Sequence, residues 1–214
     1  MHSSHNPTSL SNGSAETTIA DSTQPSPELI VPFPSKGHLL KSGWAFWFMH
    51  REPGSKLQDY NSAIKRIAGF ASIEEFWAVY SHLNRPHDLP TISDYHLFKS
   101  GLRPIWEDNI KGGKWIVRLK KGLASRYWES LVISLIGDQF DVGDEICGAV
   151  ISIRHSEDIL SLWNRNADDS RVNLKIRDTL KKVLNLPANC VMEYKAHKSS
   201  ITDNSSFRNT EMFR

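Results

Sequence analysis

Two hydrophobic periods alternate between residues 43 and 194, and their order predicts a sheet with helices packed on it. Residues 43–50 (GWAFWFMH) are a short aromatic run that reads as a buried strand. Residues 72–83 place Ile73, Phe76, Trp77, Tyr80 and Leu83 at helical spacing. Ser72 caps them with Glu75 three residues on, a capping box. Residues 95–98 are a short candidate strand. After a Gly112-Gly113 turn, Trp115, Val117 and Leu119 alternate with Lys114, Arg118 and Lys120, the period of a strand. Residues 125–136 read as a second helix ended by Gly137, and 146–154 and 159–163 as strands. Residues 172–184 read as a third helix, with Val172, Ile176, Leu180, Val183 and Leu184 on one face and Pro187 beyond its end. A last strand is expected over 191–194. There is no internal repeat, strands outnumber helices and the spacers are often short. The pattern favours an α+β fold, one antiparallel sheet with helices on one face.

The flanks lack such periods. Residues 1–35 hold five of the ten prolines, many Ser and Thr, and a single aromatic, Phe33. Such a segment buries too little apolar surface to offset its ordering entropy, so a disordered tail is expected. All seven tryptophans lie between 44 and 163. One domain is therefore expected over residues 36–198. Residues 199–214 are polar again and read as a flexible tail, although Phe207 and Phe213 could dock.

Composition narrows the class. Hydrophobic residues make up 39% and charged residues 23% of 214 positions, as in a globular protein. No apolar run approaches the roughly 18 residues of a membrane span. Residues 1–20 have neither a basic nor an apolar signal region, so no secretory leader is expected. Cys147 lies in an apolar run and Cys190 before another; no CxxC pair exists, so neither a disulfide scaffold nor a metal site is expected. The expected compartment is reducing: the cytoplasm, with the nucleus as the alternative. Net charge is +2, but residues 1–35 carry Glu16, Asp21 and Glu28 and no Lys or Arg. The remainder has 26 basic against 21 acidic residues, a formal +5. That bias is too mild for a protein coating long nucleic acid and fits a local cation cluster better.

The most informative pair is Trp106-Glu107. An indole can stack on a cationic purine while the neighbouring carboxylate accepts two parallel, charge-assisted hydrogen bonds from a guanine edge. Pro104 upstream and Asp108-Asn109 downstream place the pair in a loop, which suits ligand contact, although core packing is the ordinary fate of tryptophan. That ordinary fate is expected for Trp47, Trp115 and Trp128. Lys114, Arg118, Lys120 and Arg154 are either phosphate ligands or a solvated charged face. Asp138, Asp141, Asp144 and Glu145 do not match the spacing of a calcium loop and read as a solvated turn. No GxSxG, HExxH or P-loop motif is present and the nine histidines show no metal spacing, so no catalytic assignment follows. The helices over 72–83 and 125–136 are apolar on more than one side, so they are either deeply buried or covered by a partner.

Residues 43–197 resemble the cap-binding family of eukaryotic translation initiation factor 4E, and within it the second class, the 4E homologous protein. The resemblance rests on FASIEEFW, SDYHLFKSGLRPIWED, GGKWIVRLKKGLASRYWE, LIGDQFDVGDEICGAVISIR, IRDTLKKVLNLP and MEYKAH, in that order. It implies a curved antiparallel sheet with three long helices on its convex side and a slot on the concave side for the 7-methylguanosine cap of messenger RNA. It implies that Tyr60 and Trp106 sandwich the base, that Glu107 reads its edge, and that Trp163 lies near the methyl group. Arg118 and Arg154, with Lys114 nearby, would hold the phosphates. Trp77, with Ile73, Ile133, Gly137, His38 and Leu39, would form a dorsal groove for partners carrying a YxxxxLΦ segment, whereas periodicity alone leaves Trp77 in the core. The implied protein is a non-enzymatic monomer without cofactor or membrane contact. It represses or specialises translation, or alternatively promotes initiation through a scaffold. Tyr60 stands where the initiation factor has tryptophan, and Ser156 and Ile159 stand where it has lysines, which implies weaker cap binding. Trp44 departs from the second class, which usually has another aromatic there.

Overall fold

The computed structural model describes residues 37–52, 54 and 60–213, apart from the side chain of Asn61; the tail expected over 1–35 lies outside them. Eight strands form one sheet: β1 (Leu39–His50), β2 (Lys65–Ser72), β3 (Ser93–Lys99), β4 (Gly113–Leu119), β5 (Ile146–Ile153), β6 (Asp158–Asn164), β7 (Met192–Ala196) and β8 (Glu211–Phe213). Their order is β2-β1-β3-β5-β6-β4-β7-β8, every pair antiparallel. The helices are α1 (Tyr60–Ala63), α2 (Ile73–Tyr80), α3 (Ala124–Ile136), α4 (Ser170–Val183) and α5 (His197–Thr202).

Period-2 alternation decides which side chains meet the helices. Trp44, Phe46, Tyr95, Leu97, Trp115, Val117, Ile151, Leu160, Leu162 and Met192 share one core with Phe76 of α2, Trp128 and Leu131 of α3, and Ile176 and Leu180 of α4. The expected start of α2 holds, whereas α3 begins one residue earlier than expected and α4 two, capped by Asp169. Ser72 Oγ accepts from the Glu75 amide at 3.2 Å, and Glu75 Oε2 accepts from the Ala71 amide at 2.8 Å, one residue upstream of the usual box. Helix α2 stops at Tyr80 rather than 83, because the next amides tighten to three-residue spacing, His82 donating to the Val79 carbonyl and Leu83 to that of Tyr80. Gly112 and Gly113 do more than turn the chain. A Cβ on Gly112 would lie 2.2 Å from the Asn164 carbonyl, and one on Gly113 2.3 Å from the Tyr194 hydroxyl.

Residues 199–213 depart from the expected free tail. Helix α5 continues to Thr202, and β8 pairs with β7 from Glu211 to Phe213. Phe213 packs edge-on against Trp115 at 5.0 Å, and that apolar contact draws a polar segment onto the sheet edge. The acidic stretch is a surface turn whose carboxylates meet lysines: Lys41–Asp138, Lys175–Asp141 and Lys99–Asp144. Cys147 is buried and both cysteines are free.

Candidate functional site

The sheet face turned away from α2, α3 and α4 carries polar and charged side chains at core depth, and strand register sets them in rows. Phe98, Gly148, Trp163, Lys114 and Lys195 pair in turn across β3, β5, β6, β4 and β7. The next row is His96, Val150, Ser161, Ile116 and Glu193; a third is Asp94, Ser152, Ile159 and Arg118. Gly148 makes the first row possible. A Cβ there would lie 2.4 Å from the Leu97 carbonyl and 2.6 Å from the Phe98 ring, which meets Trp163 edge-on at 5.2 Å.

Trp106 is half-buried against Phe98, Cys147, Val150 and Trp163. It opens a single 3-10 turn, Glu107–Asn109, in a loop that is firmly tied. Asn109 Nδ2 donates to the carbonyls of Arg103 and Ile105, and Arg103 holds Asp108 with two nitrogens, at 2.7 and 3.1 Å. Glu107 is exposed, and among the described residues its carboxylate makes no hydrogen bond or ion pair. The Tyr60 hydroxyl lies 3.2 Å from His96 Nε2. Burial holds that hydroxyl protonated well above the usual range, the charges of Asp94 and Glu107 add to this, and Arg154 opposes it. The loop thus brings Trp106 and Glu107 to the Trp163 end of the polar face, and α1 sets Tyr60 over its middle row at His96.

Lys114 lies under this end, 2% exposed. Its Nζ donates to Ser206 Oγ at 3.1 Å and stands 5.1 Å from the Phe207 ring, 5.4 Å from Trp106 and 5.8 Å from Trp163. Burial, reinforced by the charges of Lys195 and Arg154 and opposed by Asp94, pushes its pKa down to about 7. Lys195, fully buried, donates to Asp203 and to the Arg208 carbonyl. Trp163 Nε1 and both ring nitrogens of His197 are buried without hydrogen-bond partners among the described residues, the two rings 4.2 Å apart. Burial, then the charge of Lys114, pushes His197 down to about 3, so it is neutral.

The other expected phosphate ligands are engaged within the protein. Arg154 Nη2 donates to Asp94 Oδ1 at 2.8 Å, and Nη1 to the carbonyls of Ser93 and Ile153. Arg118 is clasped between Glu193 (2.6 Å) and Glu157 (2.5 Å), which raise its pKa further. It is four residues along β4 from Lys114, about 13 Å at strand rise.

The opposite, helical face carries a second surface. Trp77 is 47% exposed, and Ile73, Leu39 and Ile133 are exposed with it. Gly137 caps α3. His38 reaches α2 through Glu74: its amide donates to Oε2 at 2.9 Å and its Nδ1 lies 2.7 Å from Oε1. Beside Trp77 a cavity of about 240 Å³ runs between Tyr80, Leu83, Arg85, Trp128 and Glu129. Trp77 is thus outside the core, against its periodicity; Trp115 and Trp128 are core at 1% exposure, and Trp47 turns to the polar face, half-buried. Sequence reasoning passed over Asp94, His96, Lys195 and His197. The signal for the first two was present: Asp94 and His96 alternate with Tyr95 and Leu97, so a buried β3 must bury them on its other face.

A family model described as Eukaryotic initiation factor 4E matches residues 39–212. The rice (Oryza sativa subsp. japonica) eukaryotic translation initiation factor NCBP is 50% identical over 175 residues, 81% of this chain and 77% of its own. Eukaryotic translation initiation factor 4E-4 of Caenorhabditis elegans is 50% identical over 183 residues, 84% of this chain and 86% of its own. Among solved structures, C. elegans eIF4E-3 in complex with the 4E-binding protein Mextli and a cap analog superposes with a TM-score of 0.74 at 36% identity, covering 82% of this chain and 100% of that one. Ascaris suum eIF4E-3 with the m2,2,7G cap gives 0.73 at 34% identity, covering 83% and 99%.

Proposed function

The chain belongs to the eukaryotic initiation factor 4E family, and on that premise we propose that it binds the 7-methylguanosine cap of messenger RNA between Tyr60 and Trp106. The observation that carries this reading is the Glu107 carboxylate, exposed beside Trp106 and unpaired among the described residues, above aromatic rings that enclose Lys114. Methylation at N7 makes the base cationic, and stacking such a cation on an indole gains about 0.5–2 kcal/mol over a neutral base. Glu107 accepts from N1–H and the exocyclic amine, a bidentate pair that a neutral side chain could not match. Trp163 flanks the methyl group. Lys114 takes the first phosphate, and Arg154 and Arg118 contribute as a phosphate displaces Asp94 from the one and Glu157 or Glu193 from the other. With Ser156 and Ile159 in place of lysines, cap affinity is lower than in family members that carry both.

The helical face recruits proteins through a helix bearing YxxxxLΦ, laid over Trp77, Ile73 and Ile133, the helix-in-groove mode. The exposed indole beside a cavity supports this, as does the Mextli complex of the C. elegans relative. The protein so equipped is a binding factor rather than an enzyme. It acts in the cytoplasm to repress or specialise translation. A second reading, an isoform that promotes initiation through a scaffold, is favoured by Trp44 and by relatives at 50% identity that are called initiation factors. Which of a scaffold and a repressor co-purifies with the protein separates the two.

The test is tryptophan-fluorescence titration with 7-methyl-GTP against GTP. Saturable quenching that favours the methylated base and is lost in Trp106→Ala is expected. An equal response to both nucleotides would sink the cap assignment.

A further inference from the structure

One wall of the slot is fastened through its hydroxyl. Tyr60 begins a single helical turn, and His96 Nε2 lies 3.2 Å from its oxygen. His96 is 2% exposed in the middle of the polar face, paired with Trp47 on β1 and Val150 on β5. Its ring stands 6.4 Å from Phe98, which packs on Trp163 beneath Trp106. The imidazole is therefore set in the same packed layer as the opposite wall.

Burial pushes the imidazole down to about 4; Asp94 and the Trp47 main chain raise it, Arg154 lowers it, and burial wins. A neutral imidazole thus faces a protonated phenol, and its Nδ1 has no partner in hydrogen-bond geometry among the described residues. Two proton arrangements remain. In the first the phenol O–H donates to Nε2; in the second Nε2–H donates to the phenol oxygen. Each leaves one hydrogen without a described hydrogen-bond partner, the ring's on Nδ1 or the phenol's. The first is favoured because the phenol is the better donor, the imidazole the better acceptor, and the Trp47 main chain stabilises a ring N–H.

We infer that His96 is a positioning residue for the cap slot: its Nε2 accepts the Tyr60 hydroxyl hydrogen and holds that ring in place before ligand arrives. The inference rests on the cap reading. It gives tyrosine at position 60 a reason, since a ring without the hydroxyl would leave Nε2 buried and unpaired. Pre-setting the ring spares the ligand the cost of ordering it.

A double-mutant cycle tests this, with Tyr60→Phe and His96→Leu titrated with 7-methyl-GTP. Tyr60→Phe alone should weaken binding about three- to tenfold, and by less than about twofold when His96 is already Leu. Equal losses in both backgrounds would overturn the inference, because a merely structural His96 gives additive effects. Nitrogen-15 NMR of the ligand-free wild type gives a second readout that needs neither a variant that may not fold nor any nucleotide. The neutral Nδ1–H tautomer is expected, with an Nε2 resonance that moves in Tyr60→Phe. An Nε2–H tautomer would also overturn the inference. Absence of methyl-dependent binding by wild type, with the tautomer as expected, would fault the cap reading rather than the bond.

Discussion

Lys114 shows how far a residue's chemistry depends on what covers it. Its place on the polar side of a strand was legible from alternation with Trp115 and Val117. Its burial was not, because Ser206 and Phe207, 92 and 93 positions away, close over it. With a pKa near 7 instead of 10.5, folding disfavours its charged form. Between those values the unfolded chain binds more protons than the native one, so this residue's contribution to stability rises with pH across that window. Anion binding has the opposite sign: a phosphate favours the charged form, so binding takes up a proton and weakens as pH rises above about 7. Calorimetry at pH 8 in buffers of different ionisation enthalpy should show this uptake for 7-methyl-GTP. Lys114→Gln should lower affinity and remove the part of the uptake due to the protein; unchanged uptake would clear Lys114 of the role.

Among elements, α2 and β5 carry sharper consequences. Helix α2 was readable in type and start from Ser72, Glu75 and its apolar spacing, but that spacing could not show that Trp77 faces outward while Phe76 is fully buried. Trp77→Ala should therefore leave the thermal midpoint within a few degrees of wild type and spare cap binding. It should weaken a YxxxxLΦ peptide at least about tenfold, as loss of an interface tryptophan does. A peptide that binds both proteins equally would move the partner surface elsewhere. Strand β5 works through Gly148, where an added methyl meets the Leu97 carbonyl, which cannot swing aside. Gly148→Ala should cost about 1–3 kcal/mol, read as a lower denaturant midpoint at unchanged slope. It should also weaken cap binding by moving Phe98 under Trp163; full stability and affinity would show that the strand simply slides. Strand β2 was not foreseen, because its first residues are exposed and its small residues Ala68, Gly69 and Ala71 give no clear alternation.

At the scale of the molecule, one sheet separates two functions. Its helical face is sealed by α2, α3 and α4 into an apolar core whose outer side exposes Trp77. Its other face holds Asp94, His96, Lys114, Glu193 and Lys195 at core depth. Burying so many charges is costly unless they are paired, and most are, as Arg154–Asp94, Arg118–Glu193 and Lys195–Asp203. Lys114, Trp163 and His197 form a patch where buried polar atoms are, among the described residues, unpaired or held only by a hydroxyl. That patch lies at the end of the face where Trp106 and Glu107 project.

The sequence alone determined most of the elements, the antiparallel sense of the sheet and the family to which the chain belongs. Period 2, period 3.6, caps and glycines act over a few residues, and several long motifs in order point to one family. Tertiary structure decided the rest: which tryptophans are core and which are surface, that residues 199–213 join the sheet, and that Arg118 and Arg154 are paired while Lys114 is enclosed. It also set His96 under Tyr60. Each of these depends on contacts between residues far apart in the chain, such as Trp115 with Phe213 or Lys114 with Phe207, and local periodicity carries no information about which distant side chain arrives.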